Sequence, residues 1–378
     1  MKLLTALLVA GSFALAAPAV AEPQLYKGEE ALQAAGYPTV AWFKKGDADK
    51  PLVVFAPGGH HMARISYGGH DGAKPEDFLA HWLGEKGYSF LGLSYPIDTK
   101  AFETKHPDFT ARAWGKQVAE VAAAKIKENG LSNKVVLIAW SMGGKVVQPG
   151  YQAMTEAGLD VEAAVSFAAT PGTPGLISLV SKMKMAESGY ADRKNIYGGW
   201  LKQLEKNNAD NGGRTIIPAD VFQADYVGDI PIGLQGYGEV YRDGKFVVDL
   251  QAQAEDYGAF AYEAYPLVVI LEDGDVADAR HALADRANWT MFNTNTVMAR
   301  FITANKVKLA DLEPAKWERL VSLTRGLDER LAIPVGGNHF FFVGEAGAKK
   351  AADAIDQGLT KAREVEAELN DILGLKAQ

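Results

Sequence analysis

Ten residues near the middle of the chain, 135–144, restrict its fold more than any other stretch. Val135, Val136, Leu137, Ile138 and Ala139 form an apolar run rich in β-branched side chains, as a strand buried on both faces of a sheet requires. The run ends at Trp140 and Ser141, followed by Met142, Gly143 and Gly144, and Lys145 through Met154 can supply a helix. Strand, tight turn with Ser at its apex, then helix is the arrangement that holds a hydroxyl above the edge of a parallel sheet in a strained backbone conformation. Strand and helix backbones nearly touch at such a turn, so the residues two before and two after the Ser must be small, and Ala139 and Gly143 are.

Ala139-Trp140-Ser141-Met142-Gly143 resembles the nucleophile elbow of the α/β-hydrolase superfamily, Gly-x-Ser-x-Gly, with Ala in place of the first Gly. An ordinary strand-to-helix turn capped by a hydroxyl would read the same way, so the rest of the chain has to decide between them.

Before the elbow, apolar runs at 51–56 and 88–96 read as strands, with helical spacing at 75–83 and 109–129 and Gly130 suited to close the second helix. After it comes another strand at 162–169. This alternation predicts an α/β fold with a mostly parallel sheet and helices on both faces, which is also the fold the resemblance implies. Pro57-Gly58-Gly59-His60-His61 is a Gly-rich loop directly after a strand, where backbone N–H groups can point into a cleft. The resemblance makes this loop one half of an oxyanion hole, through the N–H of Gly59 or else of His60, and makes the N–H of Met142 the other half.

Between 171 and 262 the rhythm fails, and Gly, Asp, Asn and aromatic residues dominate, with a hairpin expected over 236–248 around Asp243-Gly244. The resemblance implies a cap inserted here over the active site; an insertion packed away from it is the alternative. The domain organisation expected is therefore a signal peptide at 1–21, a hydrolase core in two parts at 22–170 and 263–378, and a cap at 171–262.

The core resumes with an apolar strand at 265–271 that runs into Glu272, Asp273, Gly274 and Asp275, carboxylates that are costly to bury without a partner. The resemblance places the triad acid at Asp275, with Glu272, Asp273 and the more remote Asp278 as alternatives. Helices are expected at 279–305 and 313–323. A last strand at 331–335 leads through Gly336-Gly337-Asn338 to His339 and three Phe residues, matching the superfamily's catalytic His loop. Ser141, Asp275 and His339 follow one another in the order associated with this superfamily. Residues 348–373 carry an apolar stripe at three- to four-residue steps, an amphipathic helix over the sheet.

Met1-Lys2, an apolar segment and Ala19-Val20-Ala21 describe a secretory signal peptide cut after Ala21. The chain contains no Cys, which removes disulfides, thiol nucleophiles and a lipid-bearing Cys. The expected location is an exported compartment, the bacterial periplasm first, with no stable membrane anchor. A formal charge of −8 without any basic run disfavours nucleic acid as a partner. Oligomeric state is not legible.

Together these residues imply a serine hydrolase that needs no cofactor. His339 would take the Ser141 proton, Asp275 would orient the imidazole, and a small-molecule carboxylic ester would acylate Ser141 before water releases it. Aromatic residues in the insertion and at 340–342 hint at an apolar or aromatic acyl group, with His60, Trp140 and Phe340 as candidate substrate-binding residues. An amidase or peptidase, a thioesterase or a haloperoxidase-type perhydrolase could use the same triad, and a non-catalytic ligand-binding protein could keep the fold. His60, His61, His70 and Asp71 match no familiar metallohydrolase spacing, so no metal is assigned. Gly143-Gly144-Lys145 is not a phosphate loop, because Val146 stands where Ser or Thr is needed.

Overall fold

The computed structural model describes residues 24–176 and 183–376. The expected signal peptide lies outside the described residues. Eight strands form one sheet: β1 (Glu29–Ala34), β2 (Tyr37–Lys44), β3 (Leu52–Ala56), β4 (Ser89–Ser94), β5 (Lys134–Trp140), β6 (Asp160–Phe167), β7 (Val268–Glu272) and β8 (Ala332–Pro334). Their spatial order is β1-β2-β4-β3-β5-β6-β7-β8. Every pair from β4 to β8 is parallel, while β1–β2 and β2–β4 are antiparallel.

The period of two along the central strands divides the core between the two faces. Val53 and Phe55 of β3, with Val136 and Ile138 of β5, join the cluster that holds Ile355, Leu359 and Val365 of α6 (Glu345–Leu373). Leu52, Val54, Val135 and Leu137 face the other way, onto Trp114, Val118 and Ala122 of α2 (Ala111–Asn129). Each such Leu, Ile or Val contributes about 1.5–3 kcal/mol through burial. α2 starts where the Thr110 side chain accepts from the Ala113 N–H and ends at Gly130 in the left-handed conformation. The expected stripe on α6 is buried along its length. Other helices that matter below are α1 (Leu79–Glu85), α3 (Val147–Glu156), α4 (Tyr197–Asp210) and α5 (Ala279–Thr296). Among the described residues no helix is long and apolar enough to cross a membrane.

The sequence reading missed the β1–β2 hairpin. Its turn is Ala35-Gly36, both with positive φ, so a primed turn is built with Ala where Asn or Asp would have announced it. The hairpin is locked by a buried ion pair in which Arg64 Nε and Nη2 donate to the two Glu29 carboxylate oxygens, each at 2.7 Å. Tyr67 Oη and the Tyr26 N–H also donate to Glu29, and Arg64 donates twice more, to the carbonyls of Asp225 and Gln24. Both side chains are essentially out of solvent. Arg64→Met is therefore expected to leave an uncompensated buried carboxylate and to cost about 3–5 kcal/mol, read as a lower denaturation midpoint in urea.

Between β6 and β7 the chain forms α4, a short helix at Leu250–Asp256 and the expected hairpin, Glu239–Arg242 against Lys245–Val248, with Asp243 and Gly244 both at positive φ at its tip. This segment is anchored on the loop after β3: Met62 N–H donates to the Tyr226 carbonyl and Gly228 N–H to the His60 carbonyl.

Candidate active site

Ser141 follows the last residue of β5 and has φ 55°, a left-handed conformation that costs a non-glycine residue about 1–3 kcal/mol. The backbones around it are as close as the sequence demands. A Cβ on Gly143 would stand 2.7 Å from the Ala56 carbonyl oxygen, and one on Gly58 would stand 2.9 Å from Ser141 Cβ. Met142 lies in the first turn of the short helix Ser141–Val146, where backbone N–H groups have no helical partner. The Gly58 carbonyl accepts from Tyr95 Oη at 2.7 Å. In a trans peptide the next N–H points the opposite way, so the Gly59 N–H is turned from Tyr95, and Gly59 borders the same cavity as Ser141 and Met142.

His339 also borders that cavity, which has a volume of about 230 Å³. Its loop is held from three sides. The Trp140 indole donates to the His339 carbonyl at 3.0 Å, and Gln203 Oε1 accepts from the His339 N–H at 3.0 Å. Asn207 donates to the carbonyls of Phe340 and Val343 and accepts from the Asn338 amide. Gln203 and Asn207 belong to α4, so the insertion fixes the His loop, a dependence no sequence pattern announced. Asn207→Leu should remove three hydrogen bonds from the His loop, lowering both the melting temperature and the rate of whatever reaction His339 serves, by about tenfold or more in kcat.

Asp278, not Asp275, stands against His339, with Oδ2 2.6 Å from Nδ1. Asp275 caps the turn at Val276–Asp278, accepting from the Ala277 N–H, and its other oxygen pairs with Lys206 of α4. The cause is local. The Gly337 carbonyl accepts from the N–H groups of both Gly274 and Asp275, which binds the two loops together and leaves Asp275 directed outward; one further turn brings Asp278 in. Burial pushes the Asp278 carboxyl up, but the adjacent His339 imidazole more than reverses this and holds it below the ordinary carboxylate range. Asp273, buried beside it, is pushed up to about 9 by burial and by the Asp278 charge, so it is neutral at pH 7. Glu272 approaches Arg286 at 3.8 Å.

His60, Trp140 and Phe340, expected to contact substrate, are instead fully buried beneath the cavity. His60 Nδ1 bonds to the Gly228 carbonyl at 2.8 Å and Nε2 to the Gln235 amide at 2.6 Å, tying the loop after β3 to the insertion. Burial holds this imidazole far below its ordinary pKa. Phe341 and Phe342 are likewise core residues, so aromatic side chains at 340–342 say nothing about an acyl group. His61 bonds to the Gly59 carbonyl and His70 to Tyr226 Oη, so the His-rich stretch is dispersed among separate partners. Among the described residues, Asp278, His281 and His339 do have metal-ligand spacing. The Arg280 guanidinium sits 2.5 Å from His281 Nε2 and opposes a cation there.

A Ser on a strained strand-to-helix turn after the fifth strand, an acid after the seventh and a His after the eighth, on a sheet of this strand order, decide the architecture. This is the α/β-hydrolase fold. No family model matches the sequence, and comparison with curated proteins finds no match. Solved structures similar to this chain include a bromoperoxidase from Bacillus anthracis, 13% identical over 88% of this chain and 99% of that one, with a TM-score of 0.43. A thermophilic esterase from Thermogutta terrifontis, malate bound, is 10% identical over 88% and 98%, with a TM-score of 0.42. An esterase from Rhodococcus sp. is 14% identical over 68% and 86%, with a TM-score of 0.39.

The rest of the cavity wall was not anticipated. Lys145, Arg193 and Arg280 border it, with Gln203 and Gln235. Lys145 is 1% exposed and its Nζ has no hydrogen-bond partner; burial, then the nearby Arg280, lower its pKa to about 7. Arg280 donates to Thr170 Oγ1 at 2.7 Å, and Arg193 to Gln235 Oε1 at 3.2 Å. Lys145 could have been suspected, since a Lys four residues past the Ser on an otherwise buried helix start has nowhere to reach but the cavity.

Proposed function

We propose that the protein is a serine hydrolase that cleaves a carboxylic ester through an acyl-enzyme on Ser141. The observation that carries this reading is the strained Ser141 sharing one cavity with a His339 imidazole whose Nδ1 is engaged by Asp278. An Nδ1–H held by a carboxylate leaves Nε2 as the acceptor, which is the tautomer a general base needs. Nε2 takes the Ser141 proton as Oγ attacks the ester carbonyl, then returns it to the departing alcohol; a water repeats the sequence to free the acid. The N–H groups of Met142 and Gly59 would receive the developing oxyanion, for which their position at the cavity wall is suited.

Residues 171–262 serve in this reading as a cap, supported by the presence of Arg193, Trp200, Gln203 and Gln235 at the cavity wall. The apolar leader with its Ala19-Val20-Ala21 site supports export of the mature enzyme.

The test is reaction with a neutral fluorophosphonate followed by peptide mass mapping, run beside turnover of short-chain 4-nitrophenyl esters. One adduct on the Ser141 peptide together with ester turnover is the expected result. Absence of both overturns the reading, and a chelator that abolishes turnover while labelling is absent would favour a metal at Asp278, His281 and His339.

A further inference from the structure

The cavity that holds Ser141 is walled by three cations drawn from three parts of the chain: Lys145 from the elbow itself, Arg193 from the insertion and Arg280 from α5. Among the described residues, none of the three has a carboxylate within ion-pair distance. Arg280 and Arg193 direct their recorded hydrogen bonds to neutral acceptors, Thr170 Oγ1, His281 Nε2 and Gln235 Oε1. Lys145 Nζ is buried without any partner. The one carboxylate at the cavity wall, Asp278, is engaged by His339. Asp285, whose charge acts on Lys145, is bound to His281, and burial pushes its carboxyl far above the ordinary range, which weakens it as a counter-charge.

Lys145 is the one of the three that is out of water, and a buried cation is destabilising unless an anion or a set of good acceptors replaces the lost solvent; Arg193 is half-buried and Arg280 exposed beside it. The fold keeps these three at the cavity. It even makes room for one of them: a Cβ on Gly236 would stand 2.9 Å from Lys145 Cε. Such a wall discriminates against an apolar acyl chain, which would leave the buried Lys145 ammonium unpaired, and favours a group that pairs with it and with the two guanidinium groups.

Resting on the serine-hydrolase reading above, we propose that the substrate is an ester carrying a free carboxylate, held by Lys145, Arg193 and Arg280 while Ser141 attacks the ester carbonyl. The carboxylate is a binding handle and takes no part in bond making; the ester C–O bond breaks, the alcohol leaves with the proton from His339, and water restores Ser141. Arg280 and Arg193 offer planar forks for the carboxylate oxygens, and Lys145 offers a point charge close to the nucleophile's own turn.

The test compares kcat/KM of the full chain for the 4-nitrophenyl monoester of glutaric acid and for 4-nitrophenyl valerate, which match in length and differ in the terminal carboxylate. Wild type is expected to prefer the acidic ester by about tenfold or more, and Lys145→Met and Arg280→Gln should each cut that ratio by about tenfold. Glutaramate should inhibit wild type competitively at concentrations where the neutral valeramide does not, a measurement independent of whether either variant folds. Equal turnover of both esters, or a preference that survives in correctly folded variants, overturns the inference and leaves the hydrolase reading standing. No turnover of either ester and no phosphonate adduct on Ser141 overturns both.

Discussion

Ser141→Ala should lower kcat for short-chain 4-nitrophenyl esters by about 10⁴ to 10⁶-fold with little change in KM. The loss is large because no other residue can replace the attacking oxygen. The variant should fold well, since Ser141 makes few side-chain demands, although its φ of 55° remains unfavourable for Ala as for Ser. Ser141→Gly would relieve the strain and give a melting temperature equal to or above wild type with the same loss of activity. That pairing of lost rate with undiminished stability separates a chemical role for Ser141 from a capping role, which would cost stability instead. A Ser141→Ala protein that retained a tenth of the wild-type rate would remove Ser141 from the reaction.

The parts of the fold that could be read in the sequence are those in which each strand is buried on both faces. β3, β4, β5 and β7 are nearly continuous apolar runs because α1, α2 and α6 cover the sheet, and their ends fall where Gly, Ser or acidic residues interrupt the run. β1 and β2 escaped because an edge hairpin is only partly buried and carries no continuous apolar run, and because its charge pattern serves the Arg64–Glu29 pair, a contact across 35 positions that no local window contains. Within the insertion, α4 escaped for a related reason. α4 is held by polar contacts from Gln203 and Asn207 to the His loop, and polar side chains on one helix face read as solvent-facing until the partner is known.

The site was legible to the same depth. Ser141 and His339 each end a strand with a distinctive small-residue turn, so their chemistry is marked by local sequence. The cavity wall is less so, because Lys145, Arg193 and Arg280 converge from separate elements: Lys145 is marked only by its place on the buried start of the elbow helix, and nothing near Arg193 and Arg280 in the chain distinguishes them from surface charges. The aromatic residues misled in the opposite direction. Trp140 and Phe340 lie next to catalytic candidates in sequence, yet both side chains are fully buried in the core.

The acid is where sequence and structure part most sharply, and exchanging single carboxylates tests it. Asp278→Asn should reduce kcat by about 10³ to 10⁴-fold, because an amide that donates to His339 Nδ1 fixes the imidazole with its proton on Nε2, facing Ser141 with the wrong hydrogen. Asp273 does not offer a ready second carboxylate, since burial, the largest cause of its raised pKa, remains when the Asp278 charge is gone. Asp275→Asn should retain most of the wild-type rate: Asn still accepts from the Ala277 N–H as a cap, and what is lost is the exposed pair with Lys206, a contact that solvent screens. Measured on one ester at one pH, the two variants should therefore differ by about three orders of magnitude in kcat although they lie three residues apart in the chain. The reverse ranking would mean that the turn at Val276–Asp278 rearranges when substrate binds, bringing Asp275 to His339. That change would break the two bonds from the Gly274 and Asp275 N–H groups to the Gly337 carbonyl, so it would require the acid and His loops to separate, and the bonds holding them together are what disfavour it.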